Sequence, residues 1–138
     1  MTNTLEMKDL LNLKLFEKIT NIPTTYTFNY NNVIFFCVPR AQISQAIGRD
    51  ASNVRRISAI AKKRIKILAI PDGEQDIKKF VEGIVSPITF TDLIIKDDEV
   101  ILNAGPQNKA SLLGRNKKRL EEMQKIISNY FNKGFKII

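Results

Sequence analysis

Two stretches of this chain, 66 residues apart, carry the same pattern. Ala46-Ile47-Gly48-Arg49-Asp50-Ala51 and Leu112-Leu113-Gly114-Arg115-Asn116-Lys117 each run from an apolar pair into Gly-Arg, then two further residues, then a basic amphipathic segment. The spacing recurs outside the turns. Val33 and Val100 are 67 apart, and Arg64-Ile65-Lys66-Ile67 precedes Gly134-Phe135-Lys136-Ile137 by 70. A chain of 138 residues built this way is limited to two small units, each near the lower size for burying a core of its own.

Taken in order, the hydrophobic pattern gives the same elements twice. Leu5–Thr20 is an amphipathic helix carrying Leu10, Leu11, Leu13, Leu15, Phe16 and Ile19, stopped by Asn21 and Pro23. Thr24–Tyr30 and Val33–Val38 are strands joined at Asn31-Asn32. Arg40–Ile47 is a short helix. After the glycine turn a second helix runs to about Lys63, capped by Asp50 or Ser52, with Val54, Ile57, Ile60 and Ala61 inward. Arg64–Ile70 is a strand, and Pro71-Asp72-Gly73 closes the unit. The order restarts with a helix at Glu74–Val85, broken by Ser86-Pro87. Strands follow at Ile88–Lys96 and Val100–Ala104, across an Asp97-Asp98-Glu99 turn. Helices at Pro106–Leu113 and Lys118–Phe131 and a strand at Gly134–Ile138 complete it. The fold class is therefore α+β: two α-β-β-α-α-β units, residues 1–71 and 72–138, expected to pack as one rigid body because the link between them is short.

The charge is distributed unevenly. The net charge is +8, yet Met1–Pro39 is neutral and Pro71–Gln107 carries three lysines against eight acids. Arg40–Ile70 has eight Lys/Arg against one acid, and Asn108–Ile138 eight against two. The positive charge therefore sits on the two turn-helix-strand segments, whereas charge serving solubility alone would be spread. An anionic partner is implied, nucleic acid before membrane. A glycine turn opening a helix offers backbone N–H groups and the positive end of the helix dipole to an anion, and an adjacent arginine adds a fork that fits phosphate.

Other chemistries find little support. The chain contains no histidine, which removes Ser-His and Cys-His catalysis and most zinc sites. Its one cysteine, Cys37, lies in the apolar run Val33–Val38 and reads as a small buried hydrophobe. No carboxylate pair with a partner base stands out, no Walker lysine follows the glycines, and no apolar run approaches a membrane span. The expectation is a non-enzymatic, cytoplasmic monomer without cofactor or metal, small-molecule substrate or membrane.

At Ile47-Gly48-Arg49-Asp50-Ala51-Ser52-Asn53-Val54-Arg55 the sequence resembles the heart of a KH domain, a family marked by an Ile-Gly-x-x-Gly turn that opens a helix. The repeated element order resembles the type II KH arrangement, and two such units in a chain of this length resemble the archaeal NusA-like transcription factors. The resemblance implies two tandem type II KH-like units, each clamping the backbone of about four single-stranded nucleotides beside an apolar groove. It places the first clamp at Ile47, Gly48, Arg49, Asp50 and Ala51, with Asn53, Arg55 and Arg56 beside it. The second falls at Leu113, Gly114, Arg115, Asn116 and Lys117, with Lys118 and Arg119. Groove positions would be Ile43, Ala46, Ile47, Val54 and Ile67, and Leu112, Leu113 and Leu120; each reads equally well as core. Ala51 and Lys117 stand where the family has a second glycine. A left-handed backbone there costs a non-glycine residue about 1 kcal/mol or more. Asp50 adds a negative charge to the first clamp and Lys117 a positive one to the second.

The function implied is single-stranded RNA binding within the transcription apparatus, in elongation or termination, with RNA polymerase as a protein partner. Two other functions fit the same residues: a protein-binding adapter on degenerate KH folds, and an RNA-binding component of translation.

Overall fold

The computed structural model describes residues 7–24 and 26–138, so the start of the first expected helix, Leu5 and Glu6, lies outside the described residues. The backbone divides into two compact units, Leu5–Ile70 and Pro71–Ile138.

In the Leu5–Ile70 unit, helix α1 (Met7–Thr20) precedes strands β1 (Tyr26–Tyr30) and β2 (Val33–Val38). Helices α2 (Ile43–Ile47) and α3 (Ser52–Ala61) then lead to β3 (Arg64–Ala69). The sheet order is β1-β2-β3, antiparallel between β1 and β2 and parallel between β2 and β3. Asn31 and Asn32 both take positive φ, 51° and 63°, which a two-residue hairpin turn requires and Asn tolerates. A parallel β2–β3 pair needs a crossover, and α2, the glycine turn and α3 supply it. The core gathers Phe16 from α1, Ile34, Phe36 and Val38 from one face of β2, Ala46 from α2, Ile57 from α3 and Ile65 from β3. Phe16 stacks on Phe36 with ring centroids 4.5 Å apart. On the opposite sheet face Phe28 stacks on its cross-strand partner Phe35 at 5.0 Å.

The Pro71–Ile138 unit follows the same order. Helix α4 (Ile77–Val85) is followed by β4 (Asp92–Lys96) and β5 (Glu99–Asn103). Helices α5 (Lys109–Leu113) and α6 (Lys118–Phe131) lead to β6 (Gly134–Ile137), and the sheet order is β4-β5-β6. β5 again pairs antiparallel on one side and parallel on the other. α4 buries Ile77, Phe80, Val81, Ile84 and Val85, an apolar stripe at helical spacing. Phe80 packs edge-on against Phe131 at 6.0 Å, and the Tyr130 hydroxyl donates to the Pro71 carbonyl at 3.1 Å.

Several sequence expectations are corrected. β4 begins at Asp92 rather than Ile88, because Asp92 pairs with Asn103, the last residue of β5, while the Ile88 amide is taken by the Val85 carbonyl. α5 begins at Lys109, since residues 106–108 form turns. Glu74–Asp76 form a separate 3-10 turn before α4. Neither Asp50 nor Ser52 caps α3: Ser52 is already helical and the cap position is Ala51, with no side-chain bond. Ile60 is 59% exposed rather than inward, at the rim of the Val54–Ile57–Ala61 stripe. Leu10 and Leu11 are likewise exposed; α1 is apolar on more sides than its neighbours cover.

Candidate nucleic-acid interface

Both glycine turns adopt one backbone path. Gly48 (φ 82°, ψ 168°) closes α2 by donating to the Ser44 carbonyl at 3.0 Å, and its own carbonyl accepts from Ala51 N at 3.1 Å. Gly114 (φ 76°, ψ 170°) bonds Ala110 and Lys117 in the same way, at 3.0 and 3.1 Å. Two left-handed residues follow in each: Asp50 (53°, 35°) and Ala51 (59°, 28°), then Asn116 (55°, 29°) and Lys117 (59°, 26°). No corresponding angle differs by more than 6°. Different side chains have been fitted to one geometry.

The demands of that geometry are specific. The dihedrals of Gly48 and Gly114 fall in a region essentially confined to glycine. A Cβ on Gly48 would lie 2.8 Å from Ser52 Oγ; one on Gly114 would lie 2.4 Å from Arg119 Cγ. At the next left-handed position each turn uses Asp or Asn, the side chains that tolerate it. At the last it uses Ala51 or Lys117, which do not, and there the missing second glycine strains the backbone.

Around the first turn Arg49, Asp50, Arg55 and Arg56 are exposed, with Ile47 and Ala51 half-buried. Around the second Arg115, Asn116, Lys117 and Lys118 are exposed and Leu113 is half-buried. Among the described residues Arg49, Arg55, Arg56, Arg115, Lys117 and Lys118 have no carboxylate partner. Two expected contact residues are engaged internally. Asn53 Nδ2 donates to the Gln45 carbonyl at 3.2 Å, tying α3 to α2. Arg119 is paired with Glu122, with its stem under Gly114. Of the groove positions, Ala46 and Leu112 are buried, Ile43, Val54 and Ile67 are half-buried and pack against the core of the first unit, and Ile47, Leu113 and Leu120 are half-buried.

The offset of 66 also reveals a difference that the matching motifs hide: Arg55 and Arg56 correspond to Glu121 and Glu122. The basic surface of the first unit continues onto α3 at Arg55 and Arg56, whereas the equivalent positions of α6 are acidic and Glu122 there pairs with Arg119. An open cleft of about 510 Å³ lies by the C-terminal end of α6 and is lined by Asp98, Glu99 and Lys133 among others, none of them a residue of the turn. Cys37 is fully buried, and burial pushes its thiol up to about 12, leaving it protonated and inert. No group of His, Cys, Asp or Glu among the described residues could hold a metal ion, and no helix there is long and apolar enough to cross a membrane.

No protein-family model matches the chain. It is 25% identical to a protein of Methanocaldococcus jannaschii named probable transcription termination protein NusA, over 130 residues, covering 91% of this chain and 69% of that one. A protein of the same name from Methanococcus vannielii is 26% identical over 121 residues, 85% of this chain and 68% of its own. Among solved structures, the crystal structure of APE1850 aligns over 97% of this chain and 99% of its own with a TM-score of 0.67 at 16% identity, a likeness of fold. In sequence, the chain resembles the archaeal NusA-like transcription termination proteins.

Proposed function

We propose that this chain is a single-stranded RNA-binding factor of the transcription apparatus, acting in elongation or termination beside RNA polymerase. Its two units are read as type II KH-like domains, residues 1–71 and 72–138, each holding the RNA backbone at its Gly-Arg turn. The observation that carries this reading is the recurrence of one strained turn, with the same dihedrals at Gly48–Ala51 and Gly114–Lys117 and unpaired cations beside it both times. Strain retained twice at equivalent positions is economically explained by use. The half-buried apolar residues next to each turn provide surface for bases, and the names of the archaeal relatives support the transcriptional setting.

Glycine substitutions would test the fold along with the grip, because those dihedrals exclude other residues. The cleaner probe is Arg49→Glu with Arg115→Glu, both exposed, where the expected stability change is within about 0.5 kcal/mol. Fluorescence anisotropy with a labelled random-sequence RNA should show affinity falling with salt, with a slope of about −0.7 per phosphate neutralised. Loss of two contacts weakens binding by about 25-fold at roughly 0.1 M salt on the same relation. Unchanged affinity in the double variant would remove the turns from the interface and favour the adapter role.

A further inference from the structure

The outer face of α3 carries charge that the turn does not account for. Arg55, Arg56, Lys62, Lys63 and Arg64 are all exposed, and none has a carboxylate partner among the described residues. α6 is a comparison within the same chain. It has Glu121 and Glu122 where α3 has Arg55 and Arg56, and it ends on left-handed Asn132 where α3 ends on left-handed Lys62, both at φ 58°. Asn tolerates that backbone and Lys does not. A cation at a helix C-terminus gains from the dipole, which explains one lysine but neither a run of three cations nor the strain of its first member.

The corner is also well fixed. Lys62 N donates to the Ser58 carbonyl at 2.8 Å, Ser58 Oγ donates to the Lys63 carbonyl at 2.7 Å, and Arg64 is paired with Val33 in the sheet. At 1.5 Å per residue, it stands about 15 Å along α3 from the glycine turn.

We infer that Lys62, Lys63 and Arg64 form a second phosphate contact for the RNA strand held at Gly48–Ala51, so that the first unit grips a longer segment than its turn alone. This rests on the RNA-binding reading above. An acidic protein segment would meet the same charges; RNA is favoured because exposed Arg55 and Arg56 lie on α3 between the turn and this corner.

The test compares random-sequence single-stranded RNAs of about four nucleotides, the reach of one KH turn, and about twelve. The variant is Lys62→Asn, Lys63→Gln, Arg64→Gln in the full chain, with folding checked by circular dichroism. The expected result is unchanged affinity for the short RNA and, for the long one, a salt slope shallower by about 2 and a loss on the order of 100-fold at roughly 0.1 M salt. Lys62→Asn alone should make the slope shallower by about 0.7 without lowering the melting temperature, which keeps the test valid should the triple variant fold poorly. A long RNA bound by the variant with wild-type affinity and slope overturns the inference, leaves the corner to an acidic protein, and leaves the turns standing. A wild-type protein that binds neither RNA overturns the RNA reading as well.

Discussion

Ala51→Gly removes a side chain from a backbone position that L-residues resist. Ala51 sits at φ 59°, ψ 28° immediately before α3. A left-handed conformation costs an ordinary residue roughly 1–2 kcal/mol, and glycine escapes that penalty. Glycine in turn loses about 0.5–1 kcal/mol more backbone entropy on folding than alanine. At mid-range the difference favours the variant by about 0.75 kcal/mol. For chains of this size, that corresponds to a rise in melting temperature of about 2–6 °C. Thermal denaturation followed by circular dichroism measures it, and anisotropy with single-stranded RNA should show tighter binding, since a Cβ no longer stands between the turn and the sugar-phosphate backbone. Lys117→Gly separates the two effects. It relieves the same strain and should stabilise comparably, but it removes a cation and should weaken binding. A lower or unchanged melting temperature for Ala51→Gly would refute the reasoning, because it would mean that residue 51 carries no left-handed strain.

Other outcomes follow from the same structure. Gly114→Ala places a Cβ 2.4 Å from Arg119 Cγ in glycine-only dihedrals, so it should destabilise by about 1–3 kcal/mol in chemical denaturation. Ile57→Ala, at a fully buried site, should cost about 2–5 kcal/mol, whereas Ile60→Ala, 59% exposed, should change stability by less than about 0.5 kcal/mol. Burial raises the Cys37 thiol from 9.0 to about 12, so the unfolded chain loses this proton first as pH rises. The contribution is complete below pH 9 and is lost toward pH 12 at about 1.4 kcal/mol per pH unit; Cys37→Ala should lack this portion of the alkaline decline.

Much of the fold was legible because each signal was local. The Asn31-Asn32 turn, the α4 stripe from Ile77 to Val85 and the matched Gly-Arg turns each depend on a few neighbouring residues. The errors arose where tertiary partners decide. Ile88 is β-branched and apolar, yet β5 ends opposite Asp92 and leaves it no strand to pair with. Ile60 shares a helix with Ile57 but lies outside what the sheet covers. Within the candidate site, the glycine positions and exposed arginines were readable. The engagement of Asn53 with Gln45 was not, because nothing in the sequence joins α2 to that amide. The contrast of Arg55-Arg56 with Glu121-Glu122 was present in the sequence at the offset of 66, but its meaning emerged only once both pairs were seen on equivalent helices. Lys62 reads as one more surface lysine until its φ of 58° is known.

The central claim is that the two glycine turns are where RNA is held. Backbone amide chemical-shift mapping by NMR, with single-stranded RNA titrated into the full chain, tests it most directly. The account predicts that the largest shifts cluster at residues 48–56 and 114–119 and fade as salt is raised. Shifts confined to other surfaces, or none at low salt, would contradict it.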